Sequence, residues 1–153
     1  MPDSSPAPHF YRVVYMSEAT EPFSDPELDR LLEHARVNNR SLGISGILLY
    51  EDNMFLQMIE GPARSIIKLY GTIRKDPRHK NIVTISEGDA IERQFGQWTM
   101  AHYKIESDNA GAQDGYLRIM TSFQSADQLQ REATFVEKYL AQLRELLPAD
   151  STT

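Results

Sequence analysis

The sequence predicts one α+β domain with elements in the order β-α-β-β-α-β-β, followed by two further helices. Two observations predict this class. Between residues 10 and 105, apolar residues recur with a period of two in strand-length segments and at helical spacing in the segments between them. The chain has 153 residues, of which 41% are hydrophobic, and this is enough to bury one core. We therefore expect a single folded unit.

The first strand and helix follow from local patterns. Residues 10–17 are rich in aromatic and β-branched side chains and predict a strand that places Tyr15 on the same face as Tyr11 and Val13. A capping box of Ser24 and Glu27 then begins a helix over residues 25–39. The apolar stripe of this helix ends in Asn38 and Asn39, so we expect at least one Asn to point inward.

Two apolar segments, 44–50 and 54–60, flank a short polar connection and predict a β-hairpin. Strict alternation in the second segment puts Gln57 on one face, between Phe55 and Ile59. A polar side chain is therefore expected among large apolar ones.

The second half of the sheet is predicted in the same way. An amphipathic helix ends near Asp76, because the Asp-Pro dipeptide disfavours its continuation. Residues 81–91 predict a strand, and residues 98–105 predict a last strand with Trp98 and Met100 on one face.

This order predicts a ferredoxin-like sheet with both helices on one face. Two C-terminal helices, expected at 112–124 and 126–147, would cover the other face or form a dimer surface. The resulting division of the chain is a disordered tail at 1–9, a sheet domain at 10–106, a helical cap at 107–147 and a tail at 148–153.

Composition excludes several classes of function. The chain has no cysteine, which rules out disulfides and thiolate chemistry, and its four histidines lack metal-site spacing, so we expect no metal. A net charge of −6 with scattered basic residues argues against direct nucleic-acid binding. No apolar run is long enough for a membrane span and no signal region is present, so we expect a cytoplasmic protein.

The most informative residues are Tyr15, Asn39 and Gln57, because each is a polar side chain at a position where the pattern predicts the apolar core. Burying such a group costs about 1–3 kcal/mol unless it finds a hydrogen-bond partner. For Tyr15 or Gln57 alone, a structural hydrogen bond is the favoured explanation, but their occurrence together with Asn39 predicts a flat, polar ligand such as a heterocycle. Spacing alone leaves open whether Arg78 and His79 form an anion site or serve the preceding helix end.

Five pieces of sequence, in order, carry a resemblance to a known family. They are YRVVYMS with Tyr15, the Asn38-Asn39 pair, FLQMIEG at 55–61, KDPRH at 75–79, and Trp98 to Met100. Together they resemble the BLUF domain, a blue-light sensor that uses flavin. The resemblance covers about residues 10 to 105, and the C-terminal helices are similar to those of short, stand-alone members.

The resemblance implies a flavin between the first two helices: FAD, with FMN or riboflavin possible. A carboxamide both donates and accepts, so Asn39 suits the imide edge of the ring, with Asn38 in support. By resemblance, Asp76, Arg78 and His79 would hold the phosphate end. The expected apolar walls are Leu31, Phe55 and Ile66.

The resemblance also implies a mechanism without an enzyme activity. Tyr15 would give an electron and a proton to the excited flavin, and Gln57 would rearrange its hydrogen bonds. Because Trp98 and Met100 are predicted to share a strand face, only one of them would lie beside Gln57, and the sequence leaves open which. A two-residue slide that exchanges them would carry the change to the C-terminal helices. We expect the chain to form a homo-oligomer and to pass the signal to a separate response regulator, transcription regulator or cyclic-dinucleotide enzyme.

Two alternatives stay open at this point. One is a ferredoxin-like sensor that binds another planar metabolite without photochemistry. The other is an acylphosphatase-like hydrolase, which residues 18–24 disfavour because they contain no Arg or Gly for a phosphate loop.

Overall fold

A computed structural model describes residues 10–147, so the predicted tails at 1–9 and 148–153 lie outside the described residues. The strands and helices follow one another in this order: β1 (Phe10–Ala19), α1 (Asp25–Leu42), β2 (Ser45–Glu51), β3 (Met54–Gly61), α2 (Ala63–Lys75), β4 (His79–Ala90), β5 (Ala101–His102), α3 (Ala110–Ser122), α4 (Ala126–Arg131) and α5 (Ala133–Arg144).

The strands form one sheet in the order β4-β1-β3-β2-β5. Strand β1 pairs with β3 and β4, and β3 pairs with β2, all antiparallel, whereas β5 runs parallel to β2. The two central strands place Tyr15 directly opposite Gln57. The order of the first four strands is that of the ferredoxin-like fold, which confirms the predicted α+β class.

Helix α1 begins as its sequence predicts. The Ser24 hydroxyl accepts from the Glu27 backbone N–H, and the Glu27 side chain accepts from the Ser24 N–H, which completes the capping box. The helix continues to Leu42, three residues beyond the predicted end, because Gly43 then supplies the left-handed conformation at φ 71° that stops it. Asn39 thus lies within the last turns of α1 rather than at its end.

The sheet separates two apolar clusters. On one face, here called the α1/α2 face, α1 and α2 pack with Tyr15, Phe55 and Met100. On the other, called the C-terminal face, α3, α4 and α5 cover Met58, Trp98 and the rest of that cluster. The C-terminal helices therefore cover the other face of the sheet, which is one of the two predicted arrangements.

The last strand is much shorter than predicted, with two residues instead of 98–105. The Trp98 N–H bonds to Phe95 O in a turn at 2.9 Å, and side chains of α1 hold the carbonyls of Thr99 and Met100. Because these backbone groups already have partners, they do not join the sheet.

The prediction that Trp98 and Met100 share a strand face is wrong. Trp98 belongs to the cluster on the C-terminal face and Met100 to the cluster on the α1/α2 face. The segment passes around the β2 side of the sheet between them, since the Gly46 N–H bonds to Trp98 O at 3.1 Å. A two-residue slide of a strand therefore does not exchange the two side chains.

The C-terminal helices also differ in detail from the prediction. Asn109 caps α3 by accepting from the Ala112 N–H, so this helix begins at 110 rather than 112. The predicted helix 126–147 is divided at Glu132, whose N–H bonds back to Leu129 O and whose carboxylate pairs with Arg118 at 2.7 Å. The two halves have different neighbours: α4 lies on β4, and α5 lies on α3.

Among the described residues, no helix combines the length and the apolar character that crossing a bilayer requires.

Candidate functional site

A cavity of about 630 Å³ opens on the α1/α2 face, between α1, the end of α2 and the sheet. Its size lies in the range of small-molecule sites, roughly 300–1,000 Å³. Ten of the residues singled out from the sequence line it: Tyr15, Leu31, Asn38, Asn39, Phe55, Gln57, Asp76, Arg78, His79 and Met100.

Tyr15 and Gln57 meet at the floor of this cavity. The Tyr15 hydroxyl donates to Gln57 Oε1 in a short hydrogen bond between two buried side chains. Burial raises the pKa of the Tyr15 phenol above its ordinary value of 10.0, with further contributions from Tyr70 and Asp76. Tyr15 is therefore a neutral donor at physiological pH.

The other end of the Gln57 amide points to Met100. Gln57 Nε2 donates to Met100 Sδ at 3.3 Å. A thioether is a weak acceptor, so this N–H is held less strongly than the oxygen at the opposite end of the amide. A ligand carbonyl or ring nitrogen would be a better acceptor for it.

Asn39 is buried on the inner side of α1 and donates from Nδ2 to Thr99 O at 2.7 Å. This bond uses one of its two N–H donors, and the carboxamide also carries an acceptor oxygen. Asn38, its neighbour in sequence, is exposed at the cavity wall. Asn39 thus links the cavity to the backbone of the segment that carries Met100.

Asp76 and Arg78 form an ion pair at the cavity mouth. Arg78 donates from Nε and Nη2 to the Asp76 carboxylate, with Nη2–Oδ2 at 2.6 Å. The bond to Arg78 lowers the pKa of Asp76, so the carboxylate is ionised at neutral pH. Asp76 therefore orients the guanidinium, which is the group able to attract a phosphate.

His79 has both ring nitrogens engaged within the protein. Nδ1 lies 2.7 Å from Ser17 Oγ, and Nε2 donates to Ile73 O at 2.6 Å, at the end of α2. The imidazole therefore fastens the C-terminal turn of α2 to β1. The sequence allowed two interpretations of His79. The geometry favours a hydrogen bond to the end of α2 over a direct contact with a phosphate.

The apolar lining agrees only in part with the sequence prediction. Leu31 and Phe55 line the cavity, whereas Ile66, a residue of α2, is fully buried and is not among the lining residues. Trp98 lies on the other face. Residues that sequence reasoning missed include Phe23, Leu48 and Ile73, whose apolar character matched a plain core and gave no separate signal.

Arg36 was also missed, although it holds the segment of Met100. Arg36 Nε donates to Met100 O at 3.0 Å, across 64 positions of sequence. A side chain that binds a distant backbone carbonyl leaves no local pattern. Among residues 10–147, no group of three or more His, Cys, Asp or Glu side chains could hold a metal ion.

The BLUF family model, described as sensors of blue light using FAD, matches residues 10–101 of the chain. This match decides the family. The chain is a BLUF protein. The matched range contains every residue that lines the floor of the cavity, and the family's description names FAD as its cofactor.

Relatives of this BLUF chain include the photoactivated adenylate cyclase subunit beta of Euglena longa, 38% identical over 89 residues. That match covers 58% of this chain and 10% of the relative, so the chain spans a small part of the curated relatives' length.

Two solved structures resemble the BLUF chain over most of its length. A bacterial light-regulated adenylyl cyclase, 29% identical with a TM-score of 0.70, is matched over 87% of this chain and 39% of that one. The dark-state structure of BlrB, a BLUF protein 29% identical with a TM-score of 0.64, is matched over 84% of this chain and 97% of that one.

The cavity fits a flavin on its own chemistry. Its floor carries three buried polar side chains, Tyr15, Asn39 and Gln57, while Leu31 and Phe55 supply apolar wall. This combination of apolar surface with a few convergent polar groups is typical of sites for heterocyclic ligands. Arg78 at the mouth adds a cation for a phosphorylated tail.

Proposed function

We propose that the chain is a blue-light photoreceptor whose switch is the hydrogen-bonded row of Tyr15, Gln57 and Met100. The observation that supports it is this row at the cavity floor, in which one amide links a buried phenol to a thioether. The amide can be turned over because it donates at one end and accepts at the other.

Each lining group has a role in holding the flavin. Asn39 offers donor and acceptor groups to the imide edge of the ring, with Asn38 beside it at the wall. Arg78, oriented by Asp76, attracts the phosphate end, and His79 supports this end indirectly by fastening α2 to β1. The binding is non-covalent.

When bound, a flavin would supply a blue-absorbing chromophore and a reversible acceptor for one electron and one proton. Tyr15 is the donor of both, because its hydroxyl is the group bonded to Gln57. Passage of the proton through Oε1 lets the Gln57 amide turn over or tautomerise. After the proton returns, Gln57 presents a different hydrogen-bond pattern to the cavity, which is the signalling state.

The signal leaves through the segment that carries Met100. A change at Gln57 Nε2 alters its contact with Met100 Sδ, and that residue is joined through Thr99 and Trp98 to the C-terminal face. We propose that the C-terminal helices then act on a separate effector, such as a response regulator, a transcription regulator or a cyclic-dinucleotide enzyme, and that the chain self-associates. Two similar proteins, the photoactivated adenylate cyclase subunit of Euglena longa and the bacterial light-regulated adenylyl cyclase, join light sensing to a cyclase.

The test is the absorption spectrum of protein purified in the dark, repeated after blue light and again after dark recovery. We expect a bound flavin and a small, reversible red shift of its absorption after blue light. A flavin that binds but does not shift would contradict the switch, and a colourless protein that cannot be reconstituted with flavin would favour a sensor of another planar ligand.

A further inference from the structure

Glu60 is a fully buried carboxylate that no part of the proposed photochemistry uses. It accepts from Arg12 Nε at 3.3 Å and Nη2 at 3.2 Å, from Ser45 Oγ at 3.4 Å, and from the backbone N–H groups of Gln94 at 3.0 Å and Phe95 at 2.6 Å. Taking a carboxylate out of water is unfavourable unless it is bonded in this way. These donors together indicate that the position of the Glu60 carboxylate matters to the structure around it.

The position of Glu60 relates it to Gln57. Both residues lie on β3, three positions apart, and therefore on opposite faces of the sheet. The two backbone groups that Glu60 binds begin the segment leading to Met100. That segment starts on the C-terminal face with Phe95 and ends on the α1/α2 face with Met100, so it crosses from one face to the other.

The far end of the segment is held by α1. Asn39 donates to Thr99 O at 2.7 Å, and Arg36 donates to Met100 O at 3.0 Å. At the near end, the charged side chain of Glu60 ties the segment to β3, the strand that also carries Gln57.

We propose that Glu60 is a positioning residue, which sets where Met100 stands against Gln57 by fixing Gln94 and Phe95 to β3. This inference rests on the proposed photoswitch, because its effect is read through the light-induced state. Without the carboxylate, the near end of the segment shifts relative to β3, and the Gln57–Met100 contact becomes less defined.

The experiment compares dark recovery after blue light in the wild type, Glu60→Gln, Met100→Leu and the double variant. The amide keeps the size of Glu60 but replaces one accepting oxygen with a donor, which opposes a backbone N–H. We expect Glu60→Gln to change the recovery rate by about threefold or more, and to have little further effect once Met100 is already Leu, because coupled residues are non-additive.

Glu51→Gln is the matched control. Glu51 is a half-buried carboxylate that accepts from the Ile105 N–H at 3.1 Å, and so it anchors the backbone on the other side of β5. The same substitution there should leave the recovery rate within about 1.5-fold of the wild type, since well-separated residues behave independently.

A milder variant covers the case in which Glu60→Gln does not fold. Ser45→Ala removes the hydroxyl that donates to Glu60 and accepts from Arg93 Nη1 at 3.0 Å, while both backbone donors stay in place. Ser45→Ala should change the rate of dark recovery in the same direction as Glu60→Gln, by a smaller factor. It should do so only in a chain that retains Met100.

Two results would overturn the inference alone. One is wild-type recovery in the variants at Glu60 and Ser45. The other is an equal change in recovery with Met100 or Leu at position 100, which would indicate a general effect on the fold. Absence of any light-induced shift in the wild type would instead overturn the proposed function, and this inference with it.

Discussion

The Gln57 amide is bonded more strongly at its oxygen than at its nitrogen, and the proposed switch depends on this difference. Its oxygen accepts from a buried phenol, whereas its nitrogen donates to a thioether 3.3 Å away. Turning the amide over would therefore exchange a strong contact for a weak one, unless a ligand offers new partners. In the proposed switch, a bound flavin would supply those partners.

Part of this arrangement could be predicted from single residues. Polar side chains at Tyr15, Asn39 and Gln57 interrupt apolar patterns, and all three line the cavity. The partners of Asn39 and Arg36 could not be predicted, because each binds a backbone carbonyl about 60 positions away that any residue type would supply. The sequence encodes the donor there but not the acceptor.

Asn39→Ala should weaken flavin binding by about tenfold or more, since it removes a buried donor and acceptor worth roughly 1–3 kcal/mol. Titration of the apoprotein by flavin fluorescence measures the change. The exposed neighbour, as Asn38→Ala, should lose less affinity. Equal losses in the two variants would contradict the assignment of Asn39 to the ring.

Thr99→Val should leave the stability unchanged or raise it slightly. The Thr99 hydroxyl is buried and has no hydrogen-bond partner among the described residues, so an apolar group of similar shape removes an unsatisfied atom. Thermal unfolding measures this directly. A loss of about 1 kcal/mol or more would mean that the hydroxyl has a bonding role.

At the scale of elements, helix starts were more predictable than strand ends. The capping box of Ser24 and Glu27 is a local pattern, and α1 begins where it predicts. The length of β5 depends on which distant groups bind the backbone of Trp98 to Met100, so alternation along the sequence overestimated it. The break at Glu132 likewise reflects different packing partners for α4 and α5.

Gly115→Ala should destabilise the chain by about 1–3 kcal/mol, because overpacking a close contact strains it. A Cβ at Gly115 would lie 2.5 Å from ring atoms of Tyr139, and that ring is fixed by the bond from its hydroxyl to Ala112 O at 2.7 Å. The contact sets how closely α3 and α5 approach. Urea unfolding measures the difference.

Gly71→Ala is the matched control for this prediction. It lies inside α2 with no atom within 4 Å of the added Cβ. There the substitution should stabilise the helix by roughly 0.5–1 kcal/mol. Destabilisation of the same size at both positions would show that crowding against Tyr139 is not the cause.

At the scale of the molecule, the sheet separates a ligand cavity from a helical cap, with buried tyrosines on both sides. Tyr15 faces the cavity, while Tyr116 and Tyr139 lie in the cap. Burial is the main cause that raises the pKa of each of the three phenols above the ordinary value of 10.0. The folded state therefore keeps protons that the unfolded state loses in alkaline solution.

Stability should consequently fall as the pH rises above about 10, by roughly 1.4 kcal/mol per pH unit for each such tyrosine. The sign follows because the unfolded chain binds fewer protons than the folded chain in this range. Urea unfolding at pH 9 and above measures the slope. Tyr116→Phe should make it shallower, and an unchanged slope would contradict the contribution of Tyr116.

The overall architecture was the most predictable level. The alternation of periods gave the order of elements and the ferredoxin-like sheet, and the two faces follow from the pleat of β1 and β3. The crossing of residues 95–100 between faces was not predictable, because it depends on tertiary contacts with Gly46, Glu60 and α1.

Light-minus-dark absorption spectra of Tyr15→Phe and Tyr70→Phe test the role of the Tyr15 hydroxyl most directly. Both tyrosines are buried and their rings lie 5.4 Å apart, but the Tyr70 hydroxyl pairs with Thr84 rather than with Gln57. We expect both variants to bind flavin and only Tyr15→Phe to lose the reversible red shift. A full shift without the Tyr15 hydroxyl would contradict the proposed switch.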